Sequence, residues 1–130
     1  MGYFKTVIIP IFNGEEYLDR ALQSVLIQTL KIDEVIVIND ASTDKTKNIL
    51  KKWFKFLPIK YYENKINMGV PYSLRKAINN TKADFIFRLD CDDVWKNDHV
   101  ENLNELFNKQ SDSVLYAAKT EYFQQKKDNR

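Results

Sequence analysis

Five short runs of apolar, β-branched and aromatic residues recur along this 130-residue chain, and they limit its fold more than any other feature. Several of them, such as VIIPIF and VIVI, are almost continuously apolar and do not alternate with polar residues. Continuous runs are typical of strands that are buried on both faces, as in parallel sheets. We therefore predict a mostly parallel sheet with strands at Thr6–Ile11, Glu34–Asn39, Ile59–Glu63, Asp84–Leu89 and Ser113–Ala118.

The segments between these runs carry the apolar spacing of amphipathic helices. Asn13 and Glu16 form an approximate capping box before the first helix, and Ser42 or Thr43 is the predicted N-cap of the second. Strictly alternating strands and helices require right-handed crossovers, so we predict an α/β fold: a three-layer α/β/α sandwich with a Rossmann-like sheet. The four predicted helices span about residues 15–29, 43–56, 71–78 and 97–109.

Length and cysteine content limit the class of protein. A chain of 15.4 kDa buries roughly two thirds of its surface on folding, which suits one domain and not two. Its single cysteine, Cys91, excludes an intrachain disulfide and a four-cysteine zinc site and indicates a reducing compartment. The longest apolar run is far shorter than the roughly 20 residues that span a bilayer, and the N-terminus lacks a secretory layout. We expect one cytoplasmic domain, 1–130.

Charge is distributed unevenly although the net charge is only +2. Residues 45–65 hold seven lysines and one acid, whereas residues 84–105 hold seven acids and two basic residues. The low net charge excludes the strongly basic footprint of a nucleic-acid-binding domain. Two interpretations of the lysines around Trp53 and Phe54 stay open: a solvated helix face with both aromatic rings in the core, or a weak contact with the cytoplasmic face of a membrane.

An acidic cluster, LDCDD, follows the fourth predicted strand, and ligands bind at the carboxyl ends of strands in such sheets. The carboxylates of Asp90, Asp92 and Asp93 repel one another and should raise each other's pKa. A hard divalent cation would remove that repulsion, because Mg²⁺ and Mn²⁺ bridge carboxylates to phosphate oxygens. The alternative is a solvated acidic turn that caps the following helix.

Other polar residues at the same edge also have a structural and a functional interpretation. Asp40 suits an Asx turn, or contact with a base edge or sugar hydroxyl of a nucleotide. Asn67 and Gly69 suit a tight turn or a ligand contact. Cys91 is interpreted as a small filler residue, and His99 as part of the first turn of the fourth helix. The chain has too few glycines for a dinucleotide-binding turn or a P-loop.

Four segments stand in an order that resembles family 2 glycosyltransferases of the GT-A fold: VIIPIFNGEEYLDRALQSVLIQT, DEVIVINDASTDKT, NMG and ADFIFRLDCDDVW. The resemblance extends from about Thr6 to Phe123. It implies metal-dependent, inverting transfer of a sugar from a nucleotide-diphosphate sugar to a hydroxyl of a saccharide or lipid-linked acceptor. It further implies a role in cell-surface polysaccharide or glycolipid synthesis, and Mn²⁺ or Mg²⁺ as cofactor.

The same resemblance assigns roles to individual residues. Asp92 matches the acid that ligates the metal, and Asp90 matches the acid that approaches the metal, ribose or sugar. Asp40 matches the carboxylate that contacts the base, and Phe12 stands where the family usually has Tyr. The implied nucleotide-sugar-binding residues are Pro10, Phe12, Asn13, Glu15, Asp40, Asn67, Gly69, Asp90 and Asp92.

The chain also departs from the family pattern. Leu74 stands where the family often has a basic residue, and Arg75 or Lys76 is the nearest substitute. The family's general base lies well downstream of the acidic motif, so we expect it beyond Arg130 and expect a GT-A sheet truncated at its C-terminal side, without an acceptor-binding half. The alternative is a catalytically incomplete nucleotide or nucleotide-sugar binding module. An uncovered sheet edge makes a homodimer a further hypothesis.

Overall fold

Strands and helices alternate in the computed structural model, which describes residues 2–110, 112 and 115. The predicted strand at 113–118 lies outside the described residues, apart from Leu115. The eight elements are β1 (Lys5–Ile11), α1 (Leu18–Leu26), β2 (Glu34–Asn39), α2 (Thr46–Trp53), β3 (Ile59–Glu63), α3 (Val70–Ile78), β4 (Phe85–Arg88) and α4 (His99–Lys109).

The four strands form one parallel sheet in the order β3-β2-β1-β4, which confirms the predicted sheet for the described strands. Every residue of β1 and β2 is buried, as their continuous apolar sequences predict. The chain adds β2 and β3 on one side of β1 and then crosses to the other side to add β4. The strand order therefore reverses between β1 and β4, and in open α/β sheets a crevice for ligands lies at this point, outside the carboxyl ends of the strands.

Helices cover both faces of the sheet, which confirms the predicted three-layer sandwich. On one face, Leu22 of α1 and Leu50 of α2 pack in a large cluster with Val7 of β1. On the opposite face, Ala77 of α3 packs in a smaller cluster with Ile8 of β1. Because successive side chains of a strand point to opposite faces, the continuous apolar run in β1 supplies both clusters.

The helix α4 packs beside β4 through aromatic rings. The ring centroid of Phe107 lies 4.5 Å from that of Phe85 and 5.4 Å from that of Tyr3, in edge-to-face arrangements. His99 is the first residue of α4, as predicted. The end of α4 is therefore next to the outer strand β4, on the side of the sheet opposite to β3.

The predicted caps of the first two helices are wrong. The helix α1 begins at Leu18, and no side chain caps it. Asn13 takes a positive φ of 51°, and its side-chain oxygen accepts a hydrogen bond from the Thr43 N–H, so Asn13 and Glu16 form no capping box. The sequence pattern indicates the preference of Asn for such bonds but not the partner, which comes from the neighbouring loop.

The helix α2 begins at Thr46, three residues later than predicted, so neither Ser42 nor Thr43 is its N-cap. Instead, the carboxylate of Asp44 accepts a hydrogen bond from the Thr46 N–H at 2.9 Å. The Ser42 hydroxyl accepts a bond from the N–H of Asn13. The polar run after β2 therefore bonds across to the loop after β1, which delays the start of the helix.

The two aromatic residues at the end of α2 differ in burial. Trp53 packs against the core, and its indole N–H donates to the carboxylate of Asp19 at 2.8 Å. Phe54 is 45% exposed, so the interpretation that places both rings in the core is correct for Trp53 and wrong for Phe54. None of the helices in the described part of the chain has the length and apolar character needed to cross a bilayer.

Candidate functional site

The loops after β1 and β2 are joined by side-chain hydrogen bonds at the carboxyl edge of the sheet. The side-chain oxygen of Asn13 accepts the Thr43 N–H at 2.8 Å, and the carboxylate of Glu15 accepts the Lys45 N–H at 3.0 Å. In the other direction, the Glu15 N–H donates to the carboxylate of Asp44 at 3.1 Å. Asn13 and Glu15, both predicted to bind the nucleotide, therefore shape this edge of the sheet.

Pro10 and Phe12 lie at the end of β1 in different environments. Pro10 is buried in the sheet, opposite Ile38 of β2. Phe12 is the first residue after the strand, and half of its surface is exposed. An exposed ring at this edge is available to pack against a ligand, whereas the buried Pro10 is part of the sheet itself.

The carboxylate of Asp40, directly after β2, is almost fully buried and accepts three hydrogen bonds. One oxygen accepts from the Asn64 amide at 2.9 Å and from the Met68 N–H at 2.8 Å, and the other accepts from the Gly69 N–H at 2.9 Å. Burial alone would raise the pKa of Asp40, but these bonds outweigh burial and hold the pKa below its usual value. Asp40 therefore fixes the loop between β3 and α3.

Asn64, which the sequence reasoning missed, connects Asp40 to the helix α3. It is 5% exposed, and its side-chain N–H₂ group donates both to Asp40 and to the Ser73 hydroxyl at 3.2 Å. Its side-chain oxygen accepts from the ammonium of Lys76 at 3.0 Å. The reverse amide orientation would set N–H₂ against an ammonium and oxygen against a carboxylate, so the network fixes the orientation.

Lys76 is thus the basic residue that reaches this network, of the two candidates named from the sequence. The signal for Asn64 was its position, since it comes directly after β3 at the edge where ligands bind. A polar residue at a strand end is common, however, and only the fold shows that it meets Asp40, Ser73 and Lys76. The buried polar group is fully satisfied, as are all buried side-chain polar atoms among the described residues.

The loop before α3 has a backbone that requires glycine at one position. Gly69 has φ 89° and ψ 162°, a combination that residues with a side chain rarely adopt. Asn67 is exposed and makes no hydrogen bond within the described residues. Gly69 therefore supports the turn interpretation, and the side chain of Asn67 is open to solvent at the same edge.

An open groove of about 460 Å³ lies between the loops that follow β2 and β3. It borders the Asp40 network, because Asn64 contributes to both. One of its lining residues, Ala41, has a φ of 61°, an uncommon value for a residue other than glycine. The lining is mainly polar, which suits a polar ligand, and is formed by Ala41, Ser42, Glu63, Asn64 and Lys65.

The acidic segment after β4 contrasts with Asp40 because its charges are largely uncompensated. The Asp90 carboxylate pairs with the Arg88 guanidinium at 3.0 Å. Asp92 is exposed and has neither a hydrogen bond nor an ion pair within the described residues. Partial burial, and then the charges of Asp92 and Asp90, raise the pKa of Asp93 above its usual value. The predicted rise in pKa is therefore present at Asp93.

The alternative role of this segment as a helix cap does not appear in the structure. The helix α4 begins at His99 with Asp98 at the N-cap position, and the Asp98 side chain makes no capping bond. Instead, the side-chain oxygen of Gln28 accepts the Val100 N–H in the first turn at 3.0 Å. Asp93 lies too early in the chain to serve the first turn, and its N–H donates to the carbonyl of Asp90, which closes a tight turn. The acidic segment is thus a turn at the sheet edge, and the first turn of the helix is capped by Gln28 rather than by these acids.

The side chains of the acidic segment supply some of the donor atoms that the predicted metal ion would need. Within the described residues, no group of three or more His, Cys, Asp or Glu side chains converges on one point. Asp92 and Asp90 supply hard oxygen donors next to uncompensated negative charge, which suits a divalent cation that takes its other ligands from phosphate and water. The residues therefore fit such an ion as one part of its coordination shell.

Cys91 lies between the acids as a small packing residue. A Cβ atom on Gly14 would come within 3.2 Å of the Cys91 sulfur and 2.9 Å of a methyl carbon of Ile11, so the loop after β1 approaches the acidic segment closely. Burial, together with the charges of Asp92 and Asp90, raises the pKa of Cys91 to about 11. The thiol is protonated at neutral pH, which agrees with its interpretation as a filler.

The fold therefore brings the predicted site residues to one edge of the sheet. Three contacts join the four loops: Asn13 with Thr43, Asp40 with Gly69, and Gly14 with Cys91. Asp92 and Phe12 carry exposed side chains at this edge, Pro10 lies beneath it, and most of the remaining polar side chains hold the loops in place.

Known proteins share both the sequence pattern and this architecture. The sequence profile described as Glycosyl transferase family 2 matches residues 6–130. Glycosyltransferase GlyA of Streptococcus pneumoniae is 35% identical over 98 residues, which cover 75% of this chain. The putative teichuronic acid biosynthesis glycosyltransferase TuaG of Bacillus subtilis is 32% identical over 109 residues, or 82% of the chain. A crystal structure of TarS from S. aureus with UDP-GlcNAc superposes with a TM-score of 0.77 and 26% identity over 83% of the chain.

The chain spans only part of each of these proteins: 14% of GlyA, 42% of TuaG and 32% of the TarS chain. The shared part contains the parallel sheet and the loops at its carboxyl edge, and the fold matches the GT-A architecture of the structural relatives. On the extent of the profile match, together with these similarities, the chain belongs to glycosyl transferase family 2.

Proposed function

We propose that this chain binds the nucleotide-sugar donor of a metal-dependent, inverting glycosyl transfer to a saccharide or lipid-linked acceptor, in the synthesis of a cell-surface polysaccharide or glycolipid. The observation that carries the proposal is the acidic segment Asp90–Asp93, in which Asp92 and Asp93 have no counter-ion among the described residues, beside the strand-order reversal of a family 2 sheet. TuaG, named for teichuronic acid biosynthesis, supports the polysaccharide context, and the UDP-GlcNAc complex of TarS supports the donor class.

Different residues at this edge would contact the metal ion and the nucleotide of the donor. Asp92 and Asp90 would hold a divalent cation, Mn²⁺ or Mg²⁺, which neutralises charge on the leaving diphosphate. Phe12 offers an exposed ring for the nucleotide, and Asp40 holds the loop that carries Asn67 next to the groove. A carboxylate has about four acceptor positions, and Asp40 would contact a base N–H group through one that its three bonds do not use.

Binding is tested by thermal unfolding with a panel of nucleoside diphosphates in the presence and absence of Mn²⁺. At least one of them should raise the melting temperature, and only with the metal, because ligands that bind the folded state stabilise it. Asp92→Asn should abolish this stabilisation. Glu105→Gln, which changes an exposed carboxylate on α4 in the same way, is the control and should preserve it. If no nucleoside diphosphate stabilises the chain with Mn²⁺, donor binding is wrong.

A second function, a binding module without transferase activity, is favoured by the state of the carboxylates. Asp40 and Glu15 are hydrogen-bonded to backbone N–H groups, and Asp90 is paired with Arg88. The carboxylates of Asp92 and Asp93 have no hydrogen bond or ion pair within the described residues, and we assign Asp92 to the metal. An inverting reaction requires a general base within reach of the acceptor hydroxyl. Release of the nucleoside diphosphate from a nucleotide sugar measures this: turnover by the chain excludes the module, and binding without turnover supports it.

A further inference from the structure

A group of basic and aromatic residues around the end of α2 takes no part in the proposed donor site. We call it the basic aromatic patch and define it as Lys51, Lys52, Phe54, Lys55 and Phe56. All five side chains are exposed, and Phe54 and Phe56 are 45% and 55% exposed. Two exposed phenylalanines so close in sequence are costly to leave in water unless a partner covers them.

The lysines of the patch are uncompensated, in contrast to their neighbours. Lys47 pairs with Glu63 at 3.1 Å, and Lys60 pairs with Glu34 at 2.8 Å. Within the described residues, Lys51, Lys52 and Lys55 have no ion pair, and the sequence from 45 to 62 contains no acid. The patch therefore carries three positive charges that no acid on its own segment offsets.

The patch is built on a fixed support. Between its members, Trp53 packs on the core and donates to Asp19, and the following Leu57 is buried. The ring of Phe56 lies against Trp53, with centroids 5.9 Å apart, and Phe54 lies 6.4 Å from Tyr61 of β3. These contacts hold the two exposed rings at the surface and keep them from folding into the core.

The position of the patch leaves the donor site open. The helix α2 starts beside the donor loops, where the Thr46 hydroxyl accepts the Gly14 N–H, and runs away from them. After the helix, the carbonyl of Pro58 accepts the N–H of Val35 near the start of β2, at the opposite edge of the sheet. The patch lies beside β3, whereas the end of α4 lies beside β4 across the sheet.

From these observations we infer that the basic aromatic patch docks on an anionic lipid surface. Lysines near anionic headgroups gain electrostatic energy, and their carbon stems with two phenylalanine rings enter the boundary between headgroups and acyl chains. The Lys55 ammonium lies over the Phe56 ring, 5.1 Å from the centroid of that ring, so apolar and charged groups share one surface. A nucleic-acid site would need a wider basic surface than a net charge of +2 allows.

The test is co-sedimentation of the chain with phosphatidylcholine vesicles, with and without phosphatidylglycerol. Binding should require the anionic lipid and should weaken as salt is added, because exposed charges are screened. Lys51→Gln combined with Lys55→Gln should lower the partition coefficient about 25-fold, since each lysine contributes about fivefold. The matched control, Lys82→Gln with Lys109→Gln, removes the same charge from exposed lysines outside the patch and should leave binding within about twofold.

The apolar part of the patch has its own variant. Phe54→Ser with Phe56→Ser should lower vesicle binding about tenfold and leave its dependence on salt unchanged. Equal binding to neutral vesicles, equal loss in the control lysine variant, or stronger binding to single-stranded DNA than to the vesicles would overturn the inference. An unchanged melting temperature shows that each variant is folded, and if the Phe54 and Phe56 variant unfolds, the lysine pair decides alone. The result is independent of whether the chain binds a nucleotide sugar.

Discussion

Asp40 and the acidic segment Asp90–Asp93 lie at the same edge of the sheet, but they differ in how far the protein compensates their negative charge. Asp40 accepts three hydrogen bonds and has a lowered pKa. Asp93 shares its surroundings with other acids and has a raised pKa. The first carboxylate is compensated by the protein itself, so it stabilises the loops. The second group is left for a cation to compensate, and metal sites are often built from such groups.

The largest expected effect is a difference in the free energy of unfolding between a variant at Asp40 and a variant at Asp92. Asp40→Ala leaves three donors without an acceptor and should lower the free energy of unfolding by about 3 kcal/mol, since each unsatisfied buried donor costs about 1–3 kcal/mol before water relieves part of it. Asp92→Asn should change it by less than about 0.5 kcal/mol, because Asp92 is exposed. Urea unfolding measures both. Equal losses would contradict the contrast, and Asp40→Asn, which keeps one acceptor, replaces the alanine variant if that fails to fold.

A backbone substitution next to Asp40 should have the next largest effect. Gly69→Ala forces a side chain into a conformation that only glycine adopts readily, at a cost of about 1–3 kcal/mol, and it displaces the N–H group that Asp40 accepts. Asn tolerates the left-handed helical region but not this extended one, so Gly69→Asn should cost a similar amount. A fully stable Gly69→Asn variant in urea unfolding would show that the loop adopts another backbone in solution.

The dependence of stability on pH should have opposite signs at the two carboxylates. Because the folded pKa of Asp40 is lowered, its contribution is present above the usual Asp value of 3.8 and is lost as the pH falls through the folded value. Because the folded pKa of Asp93 is raised, the folded state takes up this proton first, and stability increases as the pH falls through that raised value.

Melting temperatures across this pH range test the two signs. Asp93→Asn should be slightly more stable than the unchanged chain at pH 7, by less than about 0.5 kcal/mol because the group is largely exposed, and the difference should vanish in acid. Asp40→Asn should be less stable at neutral pH and converge with the unchanged chain only below the usual Asp range. A stability difference at Asp93 that does not change with pH would mean that charge repulsion is not its cause.

The smallest expected effect concerns Cys91, whose pKa of about 11 reflects burial and the neighbouring acids. At pH 8 almost none of the thiol is ionised, and the thiolate is the reactive form. Alkylation by iodoacetamide should therefore be slower than alkylation of a free thiol of ordinary pKa by about tenfold or more. Unfolding in urea is the control and should restore the ordinary rate. Rapid labelling of the folded chain would show that the acidic segment is more open than described.

Much of the fold could be predicted from the sequence because the strand positions depend on continuous apolar runs, which are a local property of the chain. The range of β2, Glu34–Asn39, and that of β3, Ile59–Glu63, match the prediction, since continuous apolar runs define strands buried by helices on both faces. The predicted helices were too long at both ends for α1 and α2. Their first turns are governed by hydrogen bonds to a neighbouring loop, and such partners are distant in sequence.

The site shows the same limit. The acidic segment could be found from sequence because repulsion between adjacent carboxylates is a local property. The partners of Asp40 could not, because Asn64 and Gly69 lie 24 and 29 residues away and reach it only through the parallel pairing of β2 with β3. Likewise, the exposure of Phe54 depends on how the end of α2 meets β3, and a helical pattern gave both rings the same interpretation.

The bonds among the loops have a consequence for how such proteins diversify. The loops after β1, β2 and β3 are joined to one another by Asn13, Glu15 and Asp40, all within one continuous stretch of chain. Because the loops at the carboxyl edge of the sheet are hydrogen-bonded to one another, this unit should keep its shape when different sequences are joined to it. That self-sufficiency makes the same unit reusable in proteins of very different length, and chimeras joined after α4 should retain its shape.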